Sequence, residues 1–121
     1  MKKLLLVGVL IFALSGIAQA QAICGQSAVI NVSAGQTGTL VTAIPGQTFY
    51  VCGFVITSAT AGATAIFNTN STALTGSLVI PLNGNVVFGN GNGTIFQGAI
   101  SGTITLTAAT GTVSGVLSYR Q

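Results

Sequence analysis

Turn signals recur about every ten residues between residues 21 and 121, at Gly35, Pro45-Gly46, Ser58 to Gly62, Asn70 to Gly76, Asn83-Gly84, Gly89 to Gly93, Gly98 to Gly102 and Thr110-Gly111. Short runs rich in Val, Ile, Thr, Phe and Tyr lie between them. Punctuation this regular leaves room for strands and almost none for helices, and no segment in this range keeps a 3.6-residue period with caps. It predicts an all-β fold: a small antiparallel β-sandwich, jelly-roll-like, of about eight strands. No fixed-period repeat argues for a solenoid.

The runs themselves alternate. Ile104 and Leu106 share one face, with Thr103, Thr105 and Thr107 on the other. Val113, Gly115, Leu117 and Tyr119 share a face, as do Ala28, Ile30 and Val32. These patterns predict half-buried strands with a hydroxyl-rich outer side. The stretch FYVCGFVIT at 49–57 is different, because both of its faces are apolar. It predicts a central strand covered twice, the second cover being the other sheet's edge or a neighbouring subunit. Gly53 within it allows a bulge or a close backbone approach. Pro45-Gly46 fits a type II turn, and Asn83-Gly84 fits a hairpin turn.

The first twenty residues have a separate logic. Lys2 and Lys3 precede an uncharged apolar run from Leu4 to Ile17, and Ala18-Gln19-Ala20 is a small-x-small cleavage site. The run is short for a spanning helix, which needs about 20 residues. Residues 1–20 are therefore expected to be a cleaved signal peptide and 21–121 a single β-sandwich domain, with no membrane span after cleavage. A second frame would cut after Ala22. The expected location is outside the cytoplasm: periplasm, extracellular space, or a cell or virion surface.

Cleavage changes the charge. The chain has three basic residues and no acidic ones. Lys2 and Lys3 leave with the signal, so Arg120 is the one charged side chain of residues 21–121. Such a chain has no basic patch for a nucleic-acid backbone and no acidic cluster for calcium or magnesium. A domain of this length buries roughly 65% of its unfolded surface. Net charge near zero promotes association. The expected partners are other copies of the chain, or a larger surface or virion assembly.

The chain contains no His, Asp, Glu or Trp. General acid–base catalysis needs a group that exchanges protons near neutral pH. Neither a Ser-His-Asp nor a Cys-His arrangement can be built, and two cysteines cannot close a zinc site. The reading is a non-enzymatic protein without cofactor or metal. GNGNG at 89–93 is not a phosphate loop, since it lacks the following helix and the later acid. The Asn31, Asn70 and Asn92 sequons arise by chance in a chain rich in Asn, Ser and Thr.

Two cysteines remain, Cys24 and Cys52. In an oxidising compartment two cysteines commonly pair, and no cation or His is available to activate a thiolate. The pairing Cys24–Cys52 would tie the N-terminal segment to the central strand. The alternative is a buried free thiol at Cys52 with Cys24 linked to another chain.

Four elements carry a resemblance: Cys24-Gly25 near the start, the strand YVCGF at 50–54, the Gly/Asn loop at 89–93, and the closing strand ending G-x-L-x-Y at 115–119. With these the chain resembles a loose group of short, uncharacterised β-rich proteins of bacterial and phage genomes. Members often carry a second cysteine pair, which NTNSTALTG at 68–76 lacks. The resemblance implies a secreted or virion-associated β-sandwich and supplies no activity and no functional residues.

Two functional readings follow. One is an exported structural or surface-display protein that self-associates. The other is a small extracellular binding module, adhesin-like or carbohydrate-binding, that uses polar loop residues Asn70, Asn83, Asn90, Asn92 and Gln97, together with Asn68, and stacks ligand on Phe88, Phe96 or Tyr119. A weaker reading takes the threonines from Thr103 to Thr112 as a flat-surface binder, and another a pilus-like subunit completed by a donated strand.

Overall fold

A computed structural model describes residues 23–121, Asn90 and Asn92 excepted. The expected signal peptide lies outside the described residues. The chain forms ten strands: β1 (Gln26–Val32), β2 (Gln36–Val41), β3 (Tyr50–Ser58), β4 (Ala63–Thr69), β5 (Thr72–Ala73), β6 (Leu78–Ile80), β7 (Gly84–Gly89), β8 (Phe96–Gln97), β9 (Ile104–Thr110) and β10 (Val113–Arg120). One sheet has the order β1-β10-β3-β7, with β8 also on β3; the other has β2-β9-β4-β5, with β6 also on β4. Every pairing is antiparallel. The chain steps between sheets from β1 to β2, β2 to β3, β3 to β4, β6 to β7, β8 to β9 and β9 to β10, and β1 lies beside β10 and β2 beside β9. That wrapped double ribbon is a jelly roll. The expected eight strands become ten because two positions are split: β5 and β6 share β4, and β7 and β8 share β3.

The predicted alternation places the core. Ile30, Val32, Val113 and Leu117 face inward from the first sheet, and Phe67, Ile104, Leu106 and Ala108 from the second; all are buried. Phe54 and Phe67 meet across the two sheets with ring centroids 4.6 Å apart. Burial of such side chains stabilises by about 1.5–3 kcal/mol each.

Strand β3 is central, between β10 and β7, but it is not covered twice within the chain. Its outer residue Val55 is 40% exposed, and Thr57 is exposed as well. The apolar character of both faces has another cause. Ser118 pairs with Gly53 and Tyr119 with Val51, so Cys52 is the extra residue of a β-bulge. The bulge shifts the phase of the strand: Phe54 and Ile56 point into the core from even positions, and Val51 is buried from an odd one. Gly53 makes the close approach its position suggested, since a Cβ there would sit 2.9 Å from the Phe88 carbonyl oxygen of β7.

Turns follow the sequence with one exception. The Gln47 N–H donates to the Ile44 carbonyl at 3.1 Å around Pro45-Gly46, with Gly46 at φ +76°. Asn83 adopts φ +52°, and the Gly84 N–H closes onto the Pro81 carbonyl at 3.0 Å. This turn does not make a hairpin. It carries the chain from β6 in one sheet to β7 in the other, which the local residues cannot distinguish from a hairpin.

Candidate functional site

Cys24 and Cys52 are joined in a disulfide within the chain, with Cα atoms 6.3 Å apart and a sequence separation of 28. It fastens the segment ahead of β1 to the bulge of β3. A shallow depression beside it is lined by Gly53, Val55, Val116 and Ser118, among others.

The register of the first sheet brings four valines into one row. Val29 pairs with Val116, Val116 with Val55, and Val55 with Val87. Their exposures are 79%, 45%, 40% and 59% in the order Val29, Val116, Val55, Val87. The row therefore crosses the outer face from edge to edge. On one side it is bordered by Ser27, Ser118, Gly53 and Gly89, on the other by Asn31, Ser114, Thr57 and Asn85. No charge interrupts these three rows. An exposed apolar band with a polar rim is the form a protein contact surface takes.

A second feature is a mouth between the sheets. The strands beside β4 are interrupted between β5 and β6, and those beside β3 between β7 and β8, on the same side of the sandwich. Phe54, Leu74, Leu78, Phe88, Ile95 and Phe96 line an opening there of about 300 Å³. Phe54, Phe67, Phe88 and Phe96 form a tilted cluster, with centroids 4.6 to 6.3 Å apart. Thr75 and Leu74 cap the gap, since the Phe67 N–H donates to Thr75 Oγ1 at 3.1 Å and the Leu74 N–H to the Phe67 carbonyl at 2.8 Å. Phe88 is half exposed at the rim.

The polar loop residues that the structure describes do not all lie together. Asn70 and Gln97 lie at the end of the sandwich where β3 begins and β4 finishes, whereas Asn83 lies at the other end, beside Ser58. Asn70 holds the chain locally. It adopts φ +51°, and its Oδ1 accepts from the Thr103 N–H at 3.2 Å and hydroxyl at 3.4 Å. Asn83 lines a polar depression with Thr57, Ala59 and Asn85. Gln97 is exposed on β8. Asn90 and Asn92 lie outside the described residues. Of the expected stacking aromatics, Phe96 belongs to the Phe cluster, and Tyr119 meets Phe49 edge-on at 5.8 Å.

Some threonines of the second sheet's outer face bond to each other, whereas Thr105 is buried there and its Oγ1 has no partner among the described residues. Thr37 Oγ1 lies 2.8 Å from Thr107 Oγ1, Thr64 Oγ1 lies 3.2 Å from Thr110 Oγ1, and Asn68 Nδ2 donates to Thr107 Oγ1 at 3.1 Å. Arg120 is engaged too: its guanidinium lies over the Tyr50 ring at 5.4 Å and donates to Thr94 Oγ1 at 3.0 Å. Sequence reasoning missed the valine row, the mouth and the Arg120 stack. Each depends on pairings between distant strands, which no local pattern carries. Comparison with known protein families and with curated proteins gave no match.

Proposed function

We propose that this protein is an exported, non-enzymatic structural or surface-display subunit that self-associates. The observation that carries the reading is the row of four exposed valines, which with the rows on either side of it carries no charge. Apolar surface of this kind is stabilised by being covered, and a nearly uncharged chain does not repel its own copies. The disulfide suits an oxidising compartment, and among the described residues no helix is long and apolar enough to cross a membrane. The resemblance to secreted and virion-associated proteins points the same way. Light scattering on the full chain, purified as the cell processes it and kept oxidised, tests the reading over a dilution series. A defined oligomer or a polymer is expected; a monomer at every concentration overturns it.

The aromatic mouth favours a second reading, a small binding module for an apolar or sugar ligand. Asn70 and Asn83, at opposite ends of the sandwich, weigh against the sugar form. If the mouth binds, an environment-sensitive apolar dye gains fluorescence with the protein, and Phe88→Ala reduces that gain several-fold. A flat titration together with a blank glycan array removes this reading.

A further inference from the structure

The edges of the two sheets differ in how they are defended. Exposed edge strands are normally guarded by charge, proline, a bulge or a covering segment. Strand β2 has a bulge between Thr39 and Val41 and a glycine, Gly38, at its middle, packed against Val32. Strand β1, Gln-Ser-Ala-Val-Ile-Asn-Val, has no charge, no proline, no glycine and no bulge, and among the described residues it pairs with β10 alone. About half of its backbone N–H and C=O groups therefore point away from the sheet, along an edge roughly 23 Å long at about 3.3 Å per residue.

Resting on the self-association reading above, and adding to it an edge contact that leaves the valine rows free for further copies, we propose that two copies pair β1 to β1, antiparallel, about a two-fold axis at Val29. Val29 is the middle residue of the seven. Pairing about it sets Val29 against the partner's Val29, Ala28 against the partner's Ile30, Ser27 against the partner's Asn31 and Gln26 against the partner's Val32. Every pair matches inner residue with inner and outer with outer, so both cores and both outer faces continue across the axis. The interface is isologous and closes on itself, as a two-fold contact must. The two valine rows then join end to end through Val29, the most exposed residue of the row.

The opposite edge does not offer this. Strand β7, Gly84–Gly89, has six residues. Pairing all six about a two-fold sets Val86, which faces inward opposite Ile56, against the partner's outward Val87. A shift that repairs the faces gives up part of the ladder and leaves a terminal glycine in it. A second copy is thus the occupant that β1 fits, by matching length, face and absence of charge.

Two measurements on the full, processed chain test this. Val29→Cys places two thiols across the axis within the Cα separation a disulfide spans, so most of the protein should run as a covalent dimer on a non-reducing gel, while Val87→Cys stays largely monomeric. Val29→Lys opposes like charges at the centre of the pair and should raise the dimer dissociation constant at least ten-fold in light scattering, while Val87→Lys leaves it unchanged. Near-ultraviolet circular dichroism checks that both lysine variants remain folded. If the wild type associates but Val29→Cys does not cross-link and Val29→Lys does not dissociate, the β1 edge is wrong and self-association stands. A wild type that is monomeric at every concentration removes both.

Discussion

Gly115 sits in β10 opposite Ile30 and Ile56, on the inner face of the first sheet. Its φ is +155°, and a Cβ there would run into the Val55 carbonyl oxygen. The missing side chain lets β3 and β10 close up while the two isoleucines fill the space beneath. Gly115→Ala is therefore expected to lower stability by roughly 3 kcal/mol, read as a lower urea midpoint with the slope unchanged. Thr69 is a second residue whose role is local. It is buried at the end of β4, and its Oγ1 accepts the Ala99 N–H at 2.9 Å. Gly98 and Gly102 pack close against the same oxygen. Thr69→Val keeps the shape and leaves that N–H without its partner, at a cost of about 1–3 kcal/mol; Thr69→Ser should recover most of it. In the sequence, Gly115 was legible only as sharing a face with Val113 and Leu117. Its dihedral is imposed by a neighbouring strand.

Among the elements, β3 shows both the reach of the sequence and its limit. Its existence, its central place and its cysteine were readable from the run FYVCGFVIT. Gly53 allowed a bulge, but the change of phase it makes was not readable, because two consecutive buried residues, Val51 and Cys52, look the same in a one-dimensional pattern whether a strand is sandwiched or kinked. The alternation of β1 and β10 could be read directly; β9 was expected to alternate as well, but Thr105 on its outer side is buried. The split of two strand positions into β5 with β6 and β7 with β8 left no signal: turn residues are frequent throughout the second half of the chain. The candidate site was the least legible part. Val29, Val55, Val87 and Val116 are ordinary strand residues one by one, and only the register lines them up. The disulfide between Cys24 and the bulge closes a loop of 28 positions. In the chain-entropy model that is worth roughly 3–4 kcal/mol. The double variant Cys24→Ala, Cys52→Ala should lose about that much against the oxidised protein in chemical denaturation.

At the scale of the molecule, residues 21–121 hold no Asp, Glu, His or Lys. The slope of stability with pH equals the difference in protons bound by the unfolded and folded states, and without such groups neither state takes up side-chain protons across the middle of the pH range. Stability should stay constant within about 0.5 kcal/mol between roughly pH 5 and 8, followed by thermal unfolding at each pH. Charge screening likewise has little to act on, so the mass of the proposed oligomer should be the same in low and high salt.

The pairing of β1 with β10 also has a consequence in time. The first strand and the last are neighbours, and β10 is also the strand that separates β1 from β3. Until residues 113–120 are present, β1 has no strand to dock on and the first sheet stays in two pieces. Closing of the first sheet thus waits for β10 and is slow in the manner of folds built on distant contacts. A nascent polypeptide of this design stays pliable while it is being made, and its first sheet sets only when β10 arrives.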